Sequence, residues 1–363
     1  MSMDFAMFYE IPVPKPWTPG KEHQAYQNVI EQAVYGEQAG FSSFWTVEHH
    51  FLDEYSHCSA PDALYGAIAA KTTDLRIGFG VKLLPRPYNH AVRAAEAGAV
   101  LDLVSNGRVE FGTGRSSTRA ELEGFGVHPD ETRPMWEDSL RVVVKAWTDE
   151  TLEHHSEYYD IPPRHVHPKP MQSPHPPLWV ASSSPASHVI AGELGLGLLS
   201  FTIGVPPEEL GERIKMYRDA LLRAQPIGKF VNNRAATFTM VHCADTTEQA
   251  FEEARHAFEW YVRTALWHIG TVARWLDGQP LGTYEYTEIL KDLDLDLLTF
   301  DYLESSGSCI VGDPDRCIEV AKRYDAADCD MLFCLLNPYD IPHQSVMRSI
   351  ELLGEHVIPA FRP

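Results

Sequence analysis

The sequence predicts the α/β class, as a closed (β/α)8 TIM barrel, on three observations. Apolar, β-branched or aromatic runs alternate with segments of helical period, the signature of βα units around a parallel sheet. Eight such runs can be counted, the number that closes a barrel. The 363 residues, 44% of them hydrophobic, are enough to bury the core such a barrel needs.

Taken in order, DFAMFYEI (4–11) reads as the first strand and HQAYQNVIEQAVYGEQ as the helix behind it, stopped by Gly40. FSSFWTVE (41–48) is the second strand, and PDALYGAIAAKT carries proline in the first turn of its helix. LRIGFGVKLL with HAVRAAEAGAVLDLVS, then RVEFGTG with RPMWEDSLRVVVKAW, supply the third and fourth pairs. After an interruption come PPLWVASS with SHVIAGELG, LGLLSFT (196–202) with EELGERIKMYRDALL, and ATFTMVHCA with EQAFEEARHAFEWYVRTAL. PDRCIEVAKRYDAA precedes the last strand, CDMLFCLL, and the amphipathic helix SVMRSIELLGEHVI closes the chain.

Two stretches break this rhythm within what reads as one barrel domain over residues 1–363. From about Thr151 to Pro177 the chain is rich in Pro and His, which disfavours helix and central strand alike and implies an ordered excursion outside the barrel. From about Ile269 to Gly307 lies a long irregular insertion of the kind found as a lid or binding loop.

A formal charge of −21 repels phosphate backbones and anionic lipid, so nucleic acid and membrane surfaces are poor partners. The amino-terminal MSMDFAMFYEIPVPKP lacks a basic stretch followed by an apolar one, and no apolar run approaches bilayer length; a cytoplasmic location is the expectation. The six cysteines form no CxxC pair and read as buried filler in a reducing compartment. His154, His155, His165, His167 and His175 lack the spacing of a metal site, and no GxSxG elbow marks a serine hydrolase.

In a barrel of this type the chemistry sits at the carboxyl ends of the strands. One such end carries Glu48, His49 and His50. Side chains alternate along a strand, so if the strand persists that far, Glu48 and His50 share one side while His49 faces the other. A second end, RVEFGTGRSS, brings Gly112, Gly114 and Arg115 together. It departs from GxGxxG at Ser117, but it offers close backbone approach and a guanidinium fork for phosphate. A third, VASSSPAS, places Ser182, Ser183, Ser184 and Ser187 at a helix start, which serves as an N-cap or, joined with Arg115, as an anion site.

FSSFWTVEHHF, LVSNGRVEFGTGR, FGVHPDETRPMW and HPKPMQSPHPPLWVASSSPAS, in this order over nearly the whole chain, resemble the bacterial luciferase-like flavin-dependent monooxygenases. The resemblance implies a (β/α)8 barrel, a homodimer, reduced FMN delivered by a separate NAD(P)H:flavin reductase, and O2, which adds at the flavin C4a before a small organic substrate is oxygenated. It implies His49 as the catalytic histidine, acting as a neutral imidazole, with Glu48 on a neighbouring pocket position. Arg115, Ser184 and Ser187, with Ser183 beside them, would hold the flavin phosphate, and Arg133 would stand close to the cofactor. Gly80 and Val81 would run beside the ring, Phe201 would wall it, and His90 would be a further pocket histidine. Phe8, Tyr9 and Trp17 would help the insertion close the site. Gly114 stands where luciferase α subunits have a reactive cysteine, so light emission is not implied.

Three alternatives use the same barrel end. An F420-dependent oxidoreductase would transfer hydride without O2, a non-catalytic flavin-binding subunit would need no pocket histidine, and a metal hydrolase would need converging ligands. No residue chooses among aldehydes, ketones, alkanes, sulfonates and amines as substrate.

Overall fold

The computed structural model describes residues 3–201 and 203–362; Met1 and Ser2 of the amino-terminal run, and Thr202 of the expected sixth strand, lie outside them. The strands are β1 (Asp4–Tyr9), β2 (Ser43–Thr46), β3 (Arg76–Phe79), β4 (Lys82–Leu83), β5 (Val109–Gly114), β6 (Leu152–His155), β7 (Asp160–Arg164), β8 (Leu178–Ser182), β9 (Gly197–Ser200), β10 (Ala235–Cys243), β11 (Cys309–Gly312) and β12 (Met331–Leu335). Parallel pairing runs β1–β2–β3–β5–β8–β9–β10–β12 and back to β1, so eight strands close a barrel, as the alternation in the sequence predicts. β4 continues β3 beyond the Gly80–Val81 peptide, which is cis, and pairs with the end of β5.

The helices are α1 (Lys21–Ala39), α2 (Pro61–Ala69), α3 (Ala91–Val104), α4 (Arg119–Gly124), α5 (Pro129–Thr148), α6 (Pro185–Glu193), α7 (Pro207–Leu221), α8 (Thr247–Trp275), α9 (Phe300–Ser306), α10 (Pro314–Ala326) and α11 (His343–Leu352). Their boundaries follow local chemistry. Gly40 ends α1 in the left-handed conformation at φ 94°, its N–H returning to Glu37 and Gly36 carbonyls. The Thr246 hydroxyl accepts from Gln249 N at 3.2 Å and caps α8. Among the described residues no helix is long and apolar enough to cross a membrane.

Three elements differ from the sequence reading. β11 pairs with Met240–Cys243 of β10; it is a four-residue apolar run at the end of the insertion, too short to stand out by pattern. The Pro- and His-rich excursion includes the antiparallel hairpin β6–β7, separate from the barrel sheet, where prolines remove no central ladder bond. The insertion begins late, because α8 runs 29 residues to Trp275 with Gly270, Val272 and Ala273 continuing its buried side. Beyond it the chain winds through 3-10 turns at Gly282–Leu290 and Leu295–Leu297 that pack back onto α8 and α5.

The barrel interior is filled rather than hollow. Trp45 and Trp179 meet edge to face at 5.7 Å across it, and Phe333 packs on Trp45 at 4.8 Å. Gly78 and Gly197 leave the space those indoles occupy: a Cβ would lie 2.0 Å from the Trp45 ring and 2.4 Å from that of Trp179. This aromatic layer is the floor of the cavity above it.

Candidate active site

Above the floor, at the carboxyl ends of the strands, lies a narrow cavity of about 140 Å³. β1 delivers Phe8 and Glu10, the end of β2 delivers Glu48 and His49, and the β3–β4 junction supplies Gly80 and Val81. β5 ends in Gly114 and Arg115, and the turn from β8 to α6 supplies Ser183, Ser184 and Ser187. Phe201, just beyond β9, stacks among Phe8 at 5.6 Å and Phe238 at 5.4 Å, an apolar wall suited to a planar ring.

At one end, His49 stands between two buried carboxylates. Its Nδ1 donates to Glu121 Oε1 at 2.9 Å, and its Nε2 lies 3.6 Å from Glu10 Oε2. Glu121 is held by the Ser116 hydroxyl at 2.7 Å, the Thr118 hydroxyl at 2.8 Å and the His50 N–H at 3.1 Å. Tyr55 and Tyr261 each donate to Glu10 Oε1 at 3.1 Å, while Glu10 Oε2 is buried without a hydrogen-bond partner. Burial works against charge on His49, but Glu121, then Glu10 and Glu48, outweigh it and raise the imidazole to about 9. Burial likewise opposes charge on Glu121, yet the His49 cation and its hydrogen-bond donors hold it below the ordinary carboxylate value. Burial raises Glu10 above that value. Glu121 and Glu10, which pattern alone did not bring beside it, favour the imidazolium over the neutral ring expected from the sequence.

β2 ends at Thr46, so strand alternation does not reach EHH, and Glu48 and His49 both border the cavity. His50 Nε2 faces Glu48 Oε1 at 3.4 Å, and His49 faces Glu121. Glu48 borders the cavity, but its oxygens accept from Leu83 N at 3.1 Å and Asn89 Nδ2 at 2.8 Å, with Lys82 Nζ at 3.8 Å. Its carboxylate fastens β4 and the turn that follows it.

The other end gathers Arg115 and the serine turn. Arg115 Nη1 donates to Thr132 and Thr283 hydroxyls at 2.9 Å each and has no carboxylate partner among the described residues. Tyr284 lies under its guanidinium at 5.3 Å. Ser184 and Ser187 form a reciprocal capping box at the start of α6: Ser187 N donates to Ser184 Oγ at 3.3 Å and Ser184 N to Ser187 Oγ at 3.0 Å. The N-cap reading of these serines therefore holds, and both residues also border the cavity. The insertion covers this end with Thr283 and Tyr286, and Tyr284 is pinned by a 2.9 Å hydrogen bond to Ser116 O.

Some expected residues fall elsewhere. Arg133 does not border the cavity; it stands behind Arg115, its Nε buried without a partner, and burial and then the Arg115 charge hold its pKa down. His90 is no pocket residue, because its Nδ1 accepts from Val92 N and caps α3 while its ring packs on Tyr159. Tyr9 faces the outer core against Phe44, and Trp17 packs edge-on to His57 at the surface, so neither closes the site. Glu10, Tyr55, Glu121, Tyr261 and His268 were missed. Glu10 ends the first strand run, where the strand-end rule reaches it, and Thr118-x-x-Glu121 is a capping-box pattern. Tyr55, Tyr261 and His268 carry no signal in one sequence.

Arg115 without a carboxylate partner among the described residues, an aromatic slot and a carboxylate-flanked histidine form a donor set that fits a flavin carrying a phosphate. Comparison with known proteins gives the same setting. A family profile described as "Luciferase-like monooxygenase" matches residues 3–329. The chain is 28% identical over 337–339 residue spans to curated relatives, among them 4-hydroxyprotoasukamycin monooxygenase of Streptomyces nodosus subsp. asukaensis, covering 92% of this chain and 86% of that one. In fold it is similar to the oxygenating constituent of 3,6-diketocamphane monooxygenase of Pseudomonas putida, solved with FMN (TM-score 0.78, 21% identity, 99% and 98% covered). It is also similar to an F420-dependent secondary alcohol dehydrogenase (TM-score 0.73, 19% identity, 100% of both chains).

Proposed function

The chain belongs to the luciferase-like monooxygenase family, and on that premise we propose that it is the oxygenase component of a two-component system, using reduced FMN and O2 to oxygenate a small organic substrate. The observation that carries this reading is the pairing of a carboxylate-flanked His49 with a phosphate-ready end at Arg115, across one aromatic slot. When bound, reduced flavin supplies the two electrons with which one oxygen atom enters the substrate and the other leaves as water. Arg115, with Arg133 behind it, and the Ser183, Ser184 and Ser187 turn would neutralise and orient the phosphate. Gly80, Val81 and Phe201 would bound the ring.

His49 holds its proton between pH 6.5 and about 9, so its Nε2–H can stabilise negative charge on oxygen and release a proton to it. Glu121 keeps the imidazole oriented, and Glu10, whose pKa burial raises, can return a proton to it. Phe8, Phe201 and Phe238 exclude water from the slot. A flavin reductase partner and a cytoplasmic location belong to the same reading, with one barrel domain over residues 1–363. So does a homodimer, supported by the exposed apolar stripe Val100, Leu103 and Val104 on α3.

Reconstitution with FMN, NADH and a flavin reductase tests the proposal across aldehydes, ketones, alkanes, sulfonates and amines. NADH consumed without leaked H2O2 on one class is expected; His49→Ala should turn that consumption into H2O2 release. Unchanged coupling in His49→Ala would sink the reading. A second reading rests on Glu10: a carboxylate of raised pKa beside His49 is a proton-moving pair suited to interconverting alcohol and carbonyl by hydride transfer, as an F420-dependent oxidoreductase would. Anaerobic turnover with reduced deazaflavin decides for it. A non-catalytic flavin-binding subunit would need none of the charges around His49.

A further inference from the structure

A second hollow of about 960 Å³, several times the inner cavity, adjoins it and shares Tyr55 and His268 as common walls. Its long side is one stripe of α8: Trp260, Arg263, Trp267, Thr271 and Arg274, at spacings of three, four, four and three residues that keep them on one face. This stripe is not the face α8 packs on the barrel, which is Ala254, Phe258, Tyr261 and Ala265. Trp267 is 51% exposed and, across the hollow, Phe51 is 65% exposed, so two large rings stand open to solvent at one place.

The charges here are unevenly matched. Asp53 is paired with Lys15, Glu54 accepts from Lys15 N, and Glu123 is paired with Arg119 at 2.9 Å. Arg274 donates to the Trp267 and Lys291 carbonyls and meets no carboxylate among the described residues. Arg263 comes no closer than 3.6 Å to Glu259, and its Nε is buried without a hydrogen-bond partner. Only Asp296 faces these two guanidiniums from the insertion. A cationic wall set between indoles, in a protein of charge −21, is matched by an aromatic anion: a guanidinium pairs with carboxylate, and the indoles stack on the ring.

We infer that this hollow holds the outer part of the substrate and selects an aromatic molecule bearing a carboxylate or similar anion, whose reactive end passes Tyr55 and His268 into the cavity. The assignment of that end to oxygenation rests on the proposed function; the binding preference does not. The test compares naphthalene-2-carboxylate with its neutral methyl ester by calorimetry on the full chain, with FMN affinity measured in parallel. The carboxylate is expected to bind about tenfold more tightly. Arg263→Gln should abolish that difference, and Trp267→Ala should weaken both ligands, with FMN affinity unchanged in each variant. Equal binding of acid and ester, or a preference that survives in Arg263→Gln, overturns the inference. Failure of FMN to bind the wild-type protein would instead count against the flavin reading and leave the naphthalene comparison decisive on its own.

Discussion

His49 Nδ1 and Glu121 Oε1 stand 2.9 Å apart where Glu121 has no exposure to solvent, and that contact sets the charge of the imidazole. The His49 pKa is raised in the folded chain, from 6.5 to about 9, so its contribution is complete below pH 6.5 and lost as pH rises through about 9. Glu121 is shifted down, so its contribution is present above its ordinary 4.5 and lost on acidification below that. Thermal melts should therefore plateau between these limits and lose up to about 3 kcal/mol of stability on the alkaline side. Glu121→Gln should shrink the alkaline loss. An alkaline limb of the same size in that variant would show that Glu121 does not govern the charge.

Activity should follow the same proton. If the imidazolium stabilises charge on oxygen, coupling of NADH oxidation to product falls as pH rises through about 9, with H2O2 taking up the difference. Glu121→Gln should move that fall toward lower pH. A coupling profile flat to pH 10, roughly one unit above the imidazole, would remove His49 from the oxygen chemistry.

The barrel was legible because each of its eight strands lies in a contiguous largely apolar run with its own helix, a pattern local enough to read along the chain. The grouping of Arg115 with the serines at one end of the cavity was legible for the same reason, because they follow directly on strand runs. The charge on His49 was not, because it depends on Glu10, which is 39 positions away in sequence, and on Glu121, which is 72 away. Arg133 and Glu48 were placed near the site by motif, but only packing decides that Arg133 stands behind Arg115 and that Glu48 spends its oxygens on Leu83 and Asn89.

Arg115 without a carboxylate partner should be the largest single contributor to phosphate affinity. Arg115→Gln is expected to weaken FMN binding by about ten- to a hundredfold, the range of a charge-assisted hydrogen bond to an anion, as read by quenching of flavin fluorescence. Riboflavin, which lacks the phosphate, should bind the variant and the wild type equally. A similar loss for riboflavin would place the effect in the fold and not at the phosphate.

Gly114 is fixed by its neighbour across the β3–β4 junction. A Cβ there would come within 2.4 Å of Val81 Cγ2 and 3.4 Å of Val81 Cβ, a valine whose branched side chain has one preferred rotamer and little room to yield. Gly114→Ala, or the Gly114→Cys change that would bring in a thiol, should destabilise the chain by about 1–3 kcal/mol through overpacking. The clash is with one side chain, so Val81→Ala should relieve it, and the double variant Gly114→Ala/Val81→Ala should recover most of the loss in a denaturant titration. The two sites touch, so their effects should be non-additive by about 1 kcal/mol or more. Strict additivity would mean that Val81 is not what keeps position 114 free of a side chain.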